Sequence, residues 1–224
     1  MSNTERDDWW VERLRKAVPA VEEPGARARV QGKCRVEPAA PADMDWVADL
    51  QTRTYSSADA IPGNILKEWY ETNPNGFAVV KANGGERIGH IDILPLRPDA
   101  TQAVLEGKIL EREIGGKLLF SKAERKLITD LYVESIIIST PDRALAALAL
   151  HRLLDSFGML ASRIGDRANL RNVYAIAATR SGARLMKHLG FDEIRPAETR
   201  ADRHPLFAAE LADVDANIKT LLGR

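Results

Sequence analysis

Apolar positions are densest between residues 127 and 163, and their period changes within that stretch. Leu131-Tyr132-Val133 and Ile136-Ile137-Ile138 form a β-branched, nearly continuous run. Such a run predicts a strand over 127–139, buried on both faces. Thr140 and Pro141 break it. Leu145, Leu148, Leu153, Leu154, Phe157 and Leu160 then recur at helical spacing, predicting a helix over 142–163 with one buried face. Thr140 is the expected N-cap and Pro141 suits the first helical position, where its missing N–H is no loss. Asp142 adds negative charge at the positive end of the dipole.

The rest of the chain reads around this pair. A helix is expected over 4–18, mixing Trp9, Trp10, Leu14 and Ala17 with basic residues, and it is expected to lie on the domain or on a second subunit. A Pro- and Gly-rich linker follows. Residues 33–37 read as a short strand, and two helical segments follow Pro41 and Pro62. Phe77 to Val80 and Arg87 to Leu96 flank Ala82-Asn83-Gly84-Gly85, the signature of a hairpin. Residues 98–126 form an insertion with a helical piece, TQAVLEGKILERE. Beyond the central helix, 172–179 reads as a strand and 181–189 as a helix closed by Gly190. Phe191 and His204 open two more strands, and 214–222 a polar C-terminal helix. Hairpins mixed with αβ crossovers predict an α+β, or mixed α/β, fold.

Charge narrows the function classes. The 32 basic and 32 acidic residues balance, so the chain offers no general attraction to nucleic acid or to an anionic membrane. No uninterrupted apolar run approaches the roughly 20 residues that span a bilayer. The polar, acidic start is unlike a secretory signal. Cys34 is the only cysteine, which excludes an intrachain disulfide and a cysteine-clustered zinc site. No His/Asp/Glu ligand spacing is recognisable, so no metal is expected. A cytoplasmic location is expected.

The order of elements resembles the GNAT acyl-CoA N-acyltransferase superfamily. The local matches are Leu189-Gly190-Phe191 closing a helix, Leu131-Tyr132-Val133 leading into the central helix, and Gly89-His90-Ile91 as the third strand. The resemblance spans roughly 33–210, by order of elements. It implies a central mixed, mostly antiparallel sheet of about six or seven strands flanked by helices. It also implies three parts: 1–30 as N-terminal helix and linker, 31–210 as the GNAT-like domain, and 211–224 as a C-terminal helical tail. In that family two splayed strands open a cleft, the fourth strand pairs with the pantetheine arm of acyl-CoA, and the next helix start holds the pyrophosphate. The resemblance implies acetyl-CoA or another acyl-CoA as co-substrate, and a small-molecule or peptide amine as acceptor. Cofactor contacts would come from Ile136 and Ile138 on the strand and from Arg143, Ala144, Leu145 and Ala146 at the helix start.

Two departures stand out. The family loop places Arg or Gln before glycines, whereas Arg143 here precedes Ala146 and Leu148. The family often carries a tyrosine acid four residues before the Gly of Leu-Gly-Phe, and here that residue is Met186. Catalytic candidates are Glu134, a carboxylate among apolar residues suited to general-base work, and Tyr174 on the following strand. Each has a bland alternative, an ion-paired strand carboxylate and a packed phenol. His90 and Asp92 share a strand face at period two and read as a polar face. Glu106, Glu111, Glu113 and Glu124 of the insertion either line an acceptor pocket for a cationic amine or sit on a solvated surface. The readings left open are an acyl-CoA-dependent N-acyltransferase, a non-catalytic domain that binds acyl-CoA or a protein partner, and a homodimer formed through Trp9, Trp10 and the terminal helices.

Overall fold

A computed structural model of the chain describes residues 33–223. The N-terminal helix expected over 4–18, with Trp9 and Trp10, lies outside the described residues. Seven strands form one sheet: β1 (Cys34–Pro38), β2 (Phe77–Ala82), β3 (Arg87–Leu94), β4 (Asp130–Ile138), β5 (Asn172–Ile176), β6 (Asp192–Arg195) and β7 (Leu206–Glu210). Their spatial order is β1-β2-β3-β4-β5-β7-β6. Every neighbouring pair is antiparallel except β4 and β5. That parallel pair needs a crossover, supplied by the long helix between its strands.

The helices are α1 (Met44–Thr54), α2 (Gly63–Thr72), α3 (Pro98–Leu105), α4 (Arg143–Ile164), α5 (Arg180–His188) and α6 (Leu211–Leu221). They cover both faces of the sheet. Ile91, Ile93, Leu131 and Val133 pack with Leu148, Leu153, Phe157 and Leu160 of α4. On the other face Phe77, Val79, Leu94 and Tyr132 pack with Met44, Val47, Leu66 and Trp69 of α1 and α2. By length and composition α4 could cross a bilayer, but its leucines and Phe157 lie in the first of these cores, as in the core helix of a globular domain. α6 is not simply polar: Leu211, Val214, Ile218 and Leu221 join the same core.

Three of the expected boundaries that move do so for a clear local reason, while the strands expected to Leu96 and Thr179 end at Leu94 and Ile176. β4 starts at Asp130 because Lys122–Leu127 winds as a 3-10 turn, whose Glu124 carboxylate accepts from Ser121 N and Oγ, and which leaves Leu127 exposed. α4 starts at Arg143, and its cap is Asp142 rather than Thr140: Asp142 Oδ1 accepts from Ala144 N at 2.8 Å and Leu145 N at 3.2 Å. A carboxylate is the better acceptor there because it also meets the helix dipole. The helix expected over 101–113 stops at Leu105, since Gly107 adopts φ +71° and ends it as a left-handed residue. The hairpin forms as expected, with Gly85 at φ +83° in the β2–β3 turn.

Candidate functional site

β4 and β5 pair from Asp130↔Asn172 to Val133↔Ala175 and then separate. β4 continues along β3 to Ile138, whereas β5 ends at Ile176 and the chain turns into α5. The separation opens a cleft of about 440 Å³. β4 lines it with Val133 to Ile136 and with Ile138, and its far wall is the stretch Ala175 to Thr179. Thr179 caps α5, its Oγ1 accepting from Gly182 N at 3.0 Å. That cap aims the start of α5 along the cleft and brings Arg184 and Met186 to its wall. Beyond Val133 the β5-side edge of β4 pairs with no strand. Its backbone groups there are the kind that a ligand must satisfy.

A β-bulge shapes the near wall. Asp92 faces Ser135 and Ile93 faces Val133, so Glu134 is the extra residue of β4. A bulge bends its strand and re-aims side chains. Here two adjacent side chains reach α1 and the residue that follows it: Gln51 Nε2 donates to Glu134 Oε2 at 2.9 Å, and Tyr55 Oη lies 3.1 Å from Ser135 Oγ.

Glu134 is 9% exposed and lines the cleft. Burial pushes its carboxyl well above the usual carboxylate range, helped by the charges of Asp92 and Glu111, while the bond from Gln51 opposes the rise. Asp92 and His90 are fully buried on β3, with His90 Nδ1 3.3 Å from Asp92 Oδ2. That approach lacks hydrogen-bond alignment, and no donor satisfies either Asp92 oxygen. Keeping a proton on Glu134 spares the fold one buried negative charge near Asp92. Tyr132, buried two residues earlier on β4, donates to Glu111. Burial raises Glu111 to about 7, with the Tyr132 bond opposing and the Asp202 charge adding to it. Burial, then the Glu134 charge, also raises Tyr55, so it is a neutral phenol at pH 7.

The structure brings only some of the expected residues together. Glu134, Ile136 and Ile138 line the cleft. Arg143, Ala144, Leu145 and Ala146 form the first turn of α4 and are not among the lining residues. Leu148 points into the core at 3% exposure, so it does not crowd the cleft. Tyr174 also lies away from the cleft lining: it packs against the α1–α2 core, where burial and Asp130 raise its hydroxyl. His90 and Asp92 are not a solvated face, because α1 covers them; Trp46 meets the His90 ring edge-on at 6.3 Å. Among the insertion glutamates, Glu106 pairs with Lys108 and Glu124 with Arg97, as on a solvated surface, but Glu111 turns inward. His204, without an evident partner in the sequence, lies 3.0 Å from Asp59.

Sequence reasoning missed Gln51, Tyr55, Ser135 and Thr179. Gln51 carried one signal: a polar residue in helical phase with the buried Val47 and Leu50. Such a residue needs partners inside the fold. Nothing local marks Ser135, whose direction depends on the bulge.

The sequence matches no protein-family model, and no curated protein matches it. Solved structures do match the fold. The loading GNATL domain of CurA from Lyngbya majuscula aligns with TM-score 0.57 at 12% identity, over 80% of this chain and 98% of that one. A GNAT-like decarboxylase, GphF, in complex with isobutyryl-CoA aligns with TM-score 0.52 at 17% identity, over 79% and 99%. Ard1 from Thermoplasma volcanium aligns with TM-score 0.51 at 13% identity, over 80% and 97%. The fold is thus shared with proteins of little sequence similarity, and this chain has the GNAT fold.

Proposed function

We propose that the protein is an acyl-CoA-dependent N-acyltransferase that moves an acyl group, most simply acetyl, to an amine within a ternary complex. The observation that carries this reading is the cleft between the parted strands, with Glu134 of the bulge in its wall. The unpaired edge of β4 suits an extended thioester arm and a polarised carbonyl. The amine nitrogen attacks the thioester carbon; the C–N bond forms, the C–S bond breaks, and the amine gives up a proton as the thiolate leaves. Glu134 is the side chain in the cleft suited to handle that proton. Its raised pKa makes it a strong base once ionised and favours turnover at higher pH. Burial, with the Asp92 and Glu111 charges, sets that proton affinity. Holding both reactants side by side supplies much of the rate.

A second reading, binding an acyl thioester without turnover, is favoured by Met186. It occupies the cleft wall and has no proton to give the departing thiolate. Calorimetric titration with acetyl-CoA and isobutyryl-CoA, followed by thiol release with a panel of amines, tests both. Thiol release supports the transferase, and binding without release supports the second reading. Absence of binding by every acyl thioester removes both.

A further inference from the structure

If the cleft takes an acyl-CoA, as proposed above, its diphosphate would be expected at the start of α4, where unpaired N–H groups and the positive dipole end favour an anion. In this chain the Asp142 carboxylate already occupies two of those donors. Pro141 has no N–H. Asp142 N lies 3.4 Å from Thr140 Oγ1. Ala144 N and Leu145 N both donate to Asp142 Oδ1, at 2.8 and 3.2 Å, and Ala146 N donates to the Asp142 carbonyl at 2.8 Å. The anion at this helix start is the protein's own carboxylate. A diphosphate would have to expel it and then sit beside its charge.

Two further observations agree. No glycine occurs from Lys117 to Phe157, so every residue of the turn carries a Cβ where close backbone approach to phosphate would be needed. The cleft itself is intact: its volume of about 440 Å³ lies within the range of small-ligand sites, and none of Arg143 to Ala146 lines it. The parts that would meet an acyl-pantetheine arm are present, while the part that would meet the nucleotide is closed.

We infer that the cleft recognises its donor by the acyl-pantetheine portion alone, and that the nucleotide diphosphate adds nothing to binding. The ligand class is an acyl-pantetheine thioester, with or without a nucleotide. Asp142 is the residue that sets this preference.

The test compares acetyl-CoA with acetyl-pantetheine by calorimetry on the wild-type chain, on Asp142→Ala, which frees two amides, and on Asp142→Asn, which keeps an acceptor oxygen but removes the charge. In the wild type the two dissociation constants should agree within about threefold, since the diphosphate makes no net contact. Asp142→Ala should tighten acetyl-CoA by about tenfold, the weight of one cap and one like charge, and leave acetyl-pantetheine unchanged. Asp142→Asn should give a smaller gain. Wild-type binding of acetyl-CoA more than about thirtyfold tighter than acetyl-pantetheine would overturn the inference while leaving the transferase reading intact. So would an Asp142→Ala variant with an unchanged ratio. If that variant does not fold, the wild-type ratio and Asp142→Asn decide. Failure of both ligands to bind the wild type would overturn the transferase reading and this inference together.

Discussion

Gln51 Nε2 donates to Glu134 Oε2 at 2.9 Å, joining α1 to the bulge of β4 across 83 positions of sequence. The other end of the same amide accepts from Ile61 N at 3.2 Å. Gln51 is fully buried, so one side chain ties the cleft carboxyl to α1 and to the loop that follows it. The orientation of Glu134 is therefore set by a helix 83 positions earlier in the chain.

Glu134→Gln keeps the shape of the side chain and removes its proton. Turnover should fall by about a hundredfold or more, the usual weight of a positioned acid or base. Donor affinity should stay within about twofold of wild type, because the change is nearly isosteric. Steady-state rates and calorimetry check the pair of outcomes. An unchanged rate would remove Glu134 from the chemistry.

Stability should fall as pH rises above the ordinary carboxylate range. Glu111 is raised from 4.5 to about 7, and Glu134 is raised as well. Between the unfolded and folded values the native state binds more protons than the unfolded state, so the free energy of unfolding decreases with pH. The loss should begin near pH 4.5 and run through about 7 for Glu111, with Glu134 adding to it in the same direction. Chemical denaturation from pH 5 to 9 measures it. Glu134→Gln should flatten the curve and be more stable than wild type at the alkaline end. A wild-type curve that rises over this range would contradict the assignment.

Gln51→Leu leaves the Ile61 amide and Glu134 without their partner. Orphaning such buried groups costs about 1–3 kcal/mol. Because the Gln51 bond lowers the Glu134 pKa, its loss should also move the Glu134 titration upward. Denaturant midpoints and the pH–rate profile read the two effects separately. A purely structural role would change the first and not the second.

Leu148→Ala separates packing from ligand contact. Leu148 is 3% exposed in the α4 core, so truncation should cost about 2–4 kcal/mol and leave donor binding unchanged. Relief of crowding, seen as tighter acetyl-CoA binding, would place the side chain at the cleft instead.

Gly190→Ala should destabilise by about 1–3 kcal/mol, because Gly190 sits at φ +82° and a Cβ there would collide with Asn217 Nδ2. Asn217 donates to the Leu189 carbonyl at 3.3 Å, so the clash also disturbs the contact that seats α6 on the end of α5. Thermal unfolding measures the loss, and an unchanged midpoint would show that α6 can yield.

The elements themselves were legible in the sequence, because each rests on short-range physics. The β-branched run of β4, the leucine spacing of α4, the Gly85 turn and the Gly190 stop all appear where local sterics and periodicity require them. Glu134 was legible as an unusual carboxyl among isoleucines. The bulge was not, because register between β3 and β4 is a property of two strands and no single run of residues encodes it. Gln51, Tyr55 and Asp92 became site residues only when α1 was laid over β3 and β4. Asp142 shows the same division within one turn. Its acidity at a helix start was plain in the sequence, but whether the carboxylate caps the helix or leaves the donors open was decided by the backbone path from β4 to α4. Sequence alone determined which segments are strands and helices, through contacts a few residues apart. The cleft and the raised Glu134 were decided by the tertiary structure, since parting strands and buried charges arise only between segments distant along the chain.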